Sequence, residues 1–481
     1  MPCQTENPGF ASTFPWTVQR KHRRKRSAGA GGVGSWAGSV VAVCVGSVLV
    51  PTIGSYVVIG LVAAAVTFAV TPLVGMFARR MGWVYLPNDR TVHETPLPDI
   101  GGLAMYIGFV AAYVTASLTG SLDVVFRSNS EPRGVFVAVT IIYAVGLIDD
   151  VREISAPAKV FGIVLAGIAL VQFGVVMFAF RLPFYDGSIF LDESLRPLIT
   201  ILWLLGMSTV VNLVDGLDGL AAGIVGIGAI SFFLYSERLT DLDLLDSANV
   251  GPLFAVIAAG LCVGFLPHNF NPARIFMGDG GALLLGLLLA VSTSVVGGRV
   301  DSVEQETIGT TYFFLAPLVI PLLILGVPIF DTLFAIVRRA TSGKGLASAD
   351  KGHLHHRLME MGHGHRRSVV ILWLWSAVLS GFVLYPTLAD QNPTYLPFGI
   401  AVIGIVLYTV LHPSVRARRK ENSIPSQGIA RKPVETTSDM ASDMASDTQA
   451  ESERRELPGQ LELDVTGENL RTQLPSAGRD D

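Results

Sequence analysis

The sequence predicts an all-α polytopic membrane protein of about 11 transmembrane helices. Three observations carry this. Half of the 481 residues are hydrophobic and only 15% are charged, against about 25% charged in a soluble domain. Apolar runs of roughly 20 residues recur, each long enough to cross about 30 Å of hydrocarbon. The polar connections between those runs alternate between rich and poor in Lys and Arg.

The elements follow in order. Residues 1–33 hold the run RKHRRKR from Arg20 to Arg26 and read as a disordered basic extension, drawn to anionic lipid. A transmembrane domain covers 34–412. Its spans fall near 56–78, 100–119, 134–149, 158–176, 196–213, 219–235, 251–267, 279–297, 311–338, 368–386 and 395–412. The stretch 34–52 is a candidate twelfth. The run 311–338 contains Pro317, Pro321 and Pro328 and is expected to be broken, since proline removes a backbone hydrogen bond from a helix. Residues 413–481, with the repeat SDMASDMASD, lack the apolar content to fold and read as a disordered cytoplasmic tail.

Orientation follows from the Lys/Arg bias. Connections 79–99, 149–159, 267–279, 338–367 and 416–420 carry 17 Lys/Arg, and the opposite set carries 6. The first set is expected to face the cytoplasm. The net charge of −4 says little, because the acidic tail offsets that basic face. Cys44 and Cys262 lie in apolar runs and Cys3 in the leader, which supports neither a disulfide framework nor a CxxC metal site.

Every unusual polar cluster falls on that same face: PNDRTVHETPLPDIGG (87–102), GLIDD (146–150), NLVDGLDG (212–219), HNFNPARIFMGDGG (268–281) and DKGHLHHRL (350–358). They sit at span ends, whereas transport sites favour the bilayer midplane. A secondary transporter is therefore the weaker reading, and an enzyme joining a water-soluble reactant to a lipid the better one.

Within the clusters, Asp149 and Asp150 point about 100° apart if helical and suit two neighbouring subsites; a charged helix end is the bland alternative. Asn212, Asp215 and Asp218, spaced by three, line one face if helical. Capping explains Asp218 alone but not three aligned polar groups. Asp279, flanked by Gly278, Gly280 and Gly281, stands where the next span begins. That is ordinary for a cap, yet glycines there also leave N–H groups open to phosphate. His353, His355 and His356 lack a cysteine to complete a zinc site; with Arg357 they read as an anion-binding lid, or as a solvated basic loop. So many carboxylates and amides suit Mg²⁺, or Mn²⁺, with phosphate completing the shell.

Taken in order, GLIDD, NLVDGLDGLAAG, NPARIFMGDGG, PIFDTLFAIVRR and HLHHRLMEMGH resemble the motifs of the polyprenyl-phosphate N-acetylhexosamine-1-phosphate transferases. That membrane superfamily (glycosyltransferase 4) includes the phospho-MurNAc-pentapeptide translocase. The resemblance covers roughly residues 56–412. HLHHRL followed by GH is similar to the UDP-GlcNAc (WecA-like) branch, and RTVHETPLPDIGGLAM and LPHNF to its actinobacterial members, which use decaprenyl phosphate. One departure is Thr91, where other branches place lysine.

The resemblance implies transfer of GlcNAc-1-phosphate from UDP-GlcNAc to decaprenyl or undecaprenyl phosphate with release of UMP, an early membrane step of cell-envelope polysaccharide synthesis. It implies a cell-membrane, multi-pass enzyme with a cytoplasmic active site and no nucleic-acid partner; a homodimer is compatible with it. It implies that Asn212 and Asp279 contact Mg²⁺, and that Asp149, Asp150 and Asp279 form the transfer centre. Arg90, His93, Lys159, Asp215, Asp218, Asn269, His353, His355, His356 and Arg357 would contact the nucleotide, sugar or phosphates. UDP-MurNAc-pentapeptide or another UDP-HexNAc is the alternative donor.

Overall fold

The computed structural model describes residues 51–85, 96–180, 189–297, 363–388 and 395–411. They form α1 (Ile53–Met81), α2 (Gly102–Leu118), α3 (Asp123–Ser128), α4 (Glu131–Arg152), α5 (Ala156–Gln172), α6 (Leu195–Val214), α7 (Leu220–Asp241), α8 (Gly251–Asn269), α9 (Gly278–Gly297), α10 (His365–Leu388) and α11 (Leu396–Leu411). Two short antiparallel pairs tie connections together: β1 (Val84–Tyr85) with β2 (Leu97–Pro98), and β3 (Ala179–Phe180) with β4 (Ile189–Phe190).

This is an all-α polytopic membrane protein. Among the described residues α1, α4, α6, α7, α8, α9 and α10 are each long and apolar enough to cross a bilayer. The α2–α3 pair, bent by 84°, would make an eighth crossing. Helices α5 and α11 are apolar but shorter. The expected span 158–176 is cut back because Gly174 takes a left-handed φ of 89° just past the helix, a conformation that glycine adopts without strain. The expected span 311–338, the candidate span 34–52 and both terminal extensions lie outside the described residues.

Helix α9 is the innermost element. Its apolar window is 94% buried, against 33% for α1 and for α6, and α2, α4, α6 and α8 pack around it. The outer helices keep large apolar side chains exposed, among them Leu61, Leu73, Phe161 and Leu202, as a lipid-facing surface requires.

Glycines set how closely these helices meet. A β-carbon on Gly102 would overlap the backbone of Gly281, and one on Gly146 the backbone of Gly280. The starts of α2 and α9 and the end of α4 are thereby in backbone contact. Main-chain bonds fasten the junction: Gly101 N–H donates to the Phe276 carbonyl (3.0 Å), Gly102 N–H to Met277 (2.8 Å) and Phe276 N–H to Pro98 (2.9 Å). The segment 98–102 and the start of α9, far apart in sequence, become one platform.

Candidate active site

Four elements deliver polar groups to this platform. The Lys159 ammonium, near the start of α5, pairs with both Asp149 of α4 and Asp279 of α9. Asn212, in the last turn of α6, donates from Nδ2 to Asp279 Oδ1 at 2.6 Å. The Asp279 carboxylate is thus held by one cation and one amide, with its side chain 25% exposed. Asp149 also accepts the Ile154 N–H at 2.7 Å, which fixes it where α4 ends.

Asp150 faces the other way, as adjacent helical positions dictate. Its two oxygens accept the N–H groups of Asp279 (2.6 Å) and Gly280 (3.0 Å). A carboxylate here satisfies donors that the first helical turn leaves orphaned. The expectation that the glycines leave N–H groups open to phosphate is corrected at these two positions: close packing of α4 on α9 puts Asp150 there instead.

The helical alignment of Asn212, Asp215 and Asp218 is also corrected. Helix α6 ends at Val214, and Asp215 is its C-terminal cap residue. After a turn, Gly219 with φ 77° begins α7. Asn212 and Asp218 therefore look in different directions. Asp218 is buried and its Oδ2 accepts from Asn271 Nδ2 (2.9 Å) and the Ala273 N–H (3.0 Å), while its own N–H donates to His365 Nε2 (3.2 Å). Asn269, also buried, accepts the Gly219 N–H (2.9 Å) and donates to the Ile275 carbonyl (3.1 Å). Both residues brace the turn through protein contacts.

Carboxyl groups crowd beside Asp279. Burial, then the nearby Asp279 charge, pushes the Asp99 carboxyl up to about 6. Burial, followed by the charges of Asp99, Asp279 and Asp218, holds Asp215 well above the usual carboxylate range. Of Asp99, Asp215, Asp218 and Asp279, Lys159 pairs with Asp279 alone. Among the described residues no group of three or more His, Cys, Asp or Glu side chains is arranged to hold a metal by itself. Mg²⁺ commonly takes only one or two protein carboxylates, with waters and substrate phosphates completing its shell. The Asp279 carboxylate and the amide oxygen of Asn212, in a pocket where neighbouring carboxyls resist ionising together, fit that demand.

Of the residues singled out in the sequence, Asp149, Asp150, Lys159, Asn212 and Asp279 converge into one contact network, and Asp215 lies within its electrostatic reach. Arg90, His93, His353, His355, His356 and Arg357 fall outside the described residues. Asp99, Asn271 and His365 were not singled out as individuals. Asp99 lies inside the stretch PLPDIGG, but only the fold brings it within electrostatic reach of Asp279. Nothing local in the sequence links Asn271 or His365 to Asp218.

Residues 133–297 match the model of the family described as glycosyl transferase family 4. The chain is 40% identical over 328 residues to a decaprenyl-phosphate N-acetylglucosaminephosphotransferase of Mycobacterium leprae, covering 67% of this chain and 81% of the relative. It is 37% identical to a protein of the same description from Mycolicibacterium smegmatis, covering 73% and 87%. A probable undecaprenyl-phosphate N-acetylglucosaminyl 1-phosphate transferase of Bacillus subtilis is 36% identical, covering 67% and 83%.

Proposed function

The chain belongs to glycosyl transferase family 4, and from that premise we infer that it transfers N-acetylglucosamine 1-phosphate to a polyprenyl phosphate within the membrane. The donor is UDP-GlcNAc and UMP leaves. One observation supports this above the others. Asp149, Lys159, Asn212 and Asp279, spread over four helices, meet in a single contact network at span ends, where a soluble nucleotide and a lipid phosphate can meet.

The Lys/Arg bias of 17 against 6 supports a cytoplasmic site. The expected total of about 11 spans rests on the described helices together with the apolar run 311–338.

In the reaction an oxygen of the acceptor phosphate attacks the sugar-linked phosphorus of the donor. The bond from that phosphorus to the bridging oxygen breaks, and UMP takes the bridging oxygen and its electrons. Mg²⁺, bound by Asp279 and Asn212 Oδ1, would neutralise charge on the diphosphate. Lys159 places a cation beside Asp279, where a phosphate oxygen can exchange for a carboxylate. Asp150 holds the first turn of α9 and so fixes the direction of Asp279. Asp149 fixes Lys159. Asp215 faces the nucleotide, while Asp218 and Asn269 position the turn that carries it. The second ionisation of a phosphate monoester lies near 6, so the nucleophile is already largely ionised at neutral pH. Positioning and electrostatics then carry the rate.

Membranes holding the full chain, supplied with sugar-labelled UDP-GlcNAc, decaprenyl or undecaprenyl phosphate and Mg²⁺, should yield a labelled lipid together with UMP. Release of UDP would instead mean ordinary glycosyl transfer and would overturn the reading. Chelation of divalent cations should abolish turnover, and added Mg²⁺ or Mn²⁺ should restore it.

A further inference from the structure

A cavity of about 290 Å³ opens between the C-terminal half of α1 and the segment that follows α8, lined by Thr71, Pro72, Gly75, Met76, Arg79, His268, Arg274 and Ile275. Apart from Arg79, Arg274, His268 and Thr71, the lining is apolar and carries no carboxylate. Both arginines are exposed, and among the described residues neither is paired with a carboxylate. His268 is occupied: its ring lies 4.8 Å from that of Phe68, and its Nε2 is 3.0 Å from the Phe68 carbonyl. The two guanidiniums are the available donors.

The surroundings place this cavity at headgroup depth. Arg79 and Arg80 stand in the last turn of a membrane-crossing helix. Trp83, against Phe77, follows within a turn, as aromatics do at the membrane interface. Leu73, Met76 and Phe77 are exposed on the same helix, so hydrocarbon reaches the cavity from the side. Two arginines with no carboxylate partner among the described residues, over an apolar, laterally open hollow, complement an anion that carries an acyl tail.

We propose that this cavity is a seat for one anionic phospholipid, its phosphodiester bound between Arg79 and Arg274 and its chains lying along Leu73 and Met76. The polyprenyl phosphate acceptor offers similar chemistry. However, none of Asp149, Lys159, Asn212 or Asp279 lines the cavity, so a phosphate held there would be away from the groups that act on it. The seat also touches the site's scaffold. Ile275 holds Asn269, Ala273 holds Asp218, and Phe276 is bonded to Gly101. A lipid gripping Arg274 braces that segment.

The test uses the full chain purified from membranes and reconstituted with phosphatidylglycerol, with phosphatidylcholine alone, or with phosphatidylcholine plus polyprenyl phosphate. Tightly bound lipid is then counted by native mass spectrometry. The unaltered chain should retain phosphatidylglycerol and not phosphatidylcholine. Arg79→Gln with Arg274→Gln should lower that retention about tenfold or more, two guanidiniums near a lipid surface being the source of the affinity. Gly75→Leu fills the hollow without touching charge, since a β-carbon there meets only Ile275 at 3.9 Å. It should lower retention similarly, and it decides the question alone if the arginine variant does not fold. Wild-type retention in a folded variant overturns the proposal. So does displacement of phosphatidylglycerol by inorganic phosphate, which would mean a simple anion site, or by equimolar polyprenyl phosphate, which would mean an acceptor site.

Discussion

Two helix starts in this molecule read almost alike. Asp218-Gly219 precedes α7 and Asp279-Gly280 opens α9, each beside a glycine with positive φ, Gly219 and Gly278. Their carboxylates differ entirely in what holds them. Asp218 is 2% exposed and is gripped by Asn271 and by the rigid main chain at Ala273. Asp279 is partly open and held by Lys159 and Asn212, two side chains that can turn toward a ligand. On the proposed function, a carboxylate bonded to main chain serves as an anchor, and one bonded to movable side chains and partly open is free to serve as a reagent.

Altering each acid in turn tests that distinction. Asp279→Ala should lower turnover by about 10³-fold, the scale for loss of a charge-stabilising group in a reacting site, while the thermal midpoint barely moves. A large loss of stability would erase the contrast with Asp218. Lys159→Met should follow at about 10²-fold, again with the fold retained. Measured pH–rate profiles should not simply shift, because the cation acts by position. Asp218→Ala leaves two buried donors unmet and should cost about 2–4 kcal/mol of stability, read by thermal unfolding. The folded fraction should lose far less activity than Asp279→Ala does, and a rate defect of that size with stability unchanged would make Asp218 a reagent after all.

The smallest effect concerns Asp99. Its folded-state carboxyl titrates near 6 rather than 3.8, so the folded state binds the proton more tightly than the unfolded chain. That preference favours folding at low pH and is lost as pH rises through that window. With divalent cations chelated, stability of the natural chain should therefore decline across the window, and Asp99→Asn should flatten the decline.

Much of the fold was legible because apolar runs of membrane length leave few alternatives. Apart from α3, which falls in the connection expected at 120–133, the helices occupy the expected positions, with boundaries moved by local punctuation such as Gly174. The members of the contact network were legible too, since Asp149, Asp150, Asn212 and Asp279 stand out against apolar surroundings. Their division of labour was not. A spacing of three would align Asn212, Asp215 and Asp218 if all three were helical, yet the helix stops at Val214, near the expected span end at 213, and leaves Asp218 outside it. The glycines beside Asp279 suggested a phosphate cradle, but two of the N–H groups they expose are filled by Asp150 from a helix more than a hundred residues away in sequence. Such occupancy depends on tertiary contact, which no local pattern encodes.

The burial of α9 bears on how the protein endures in its surroundings. Because neighbouring helices sheathe that element on nearly every side, changes in bilayer thickness or curvature act first on the outer helices as tilt. Asp279 rides on the helix least exposed to such forces. Its aim should hold steady as the host membrane stiffens, thins or changes its fatty acids with temperature.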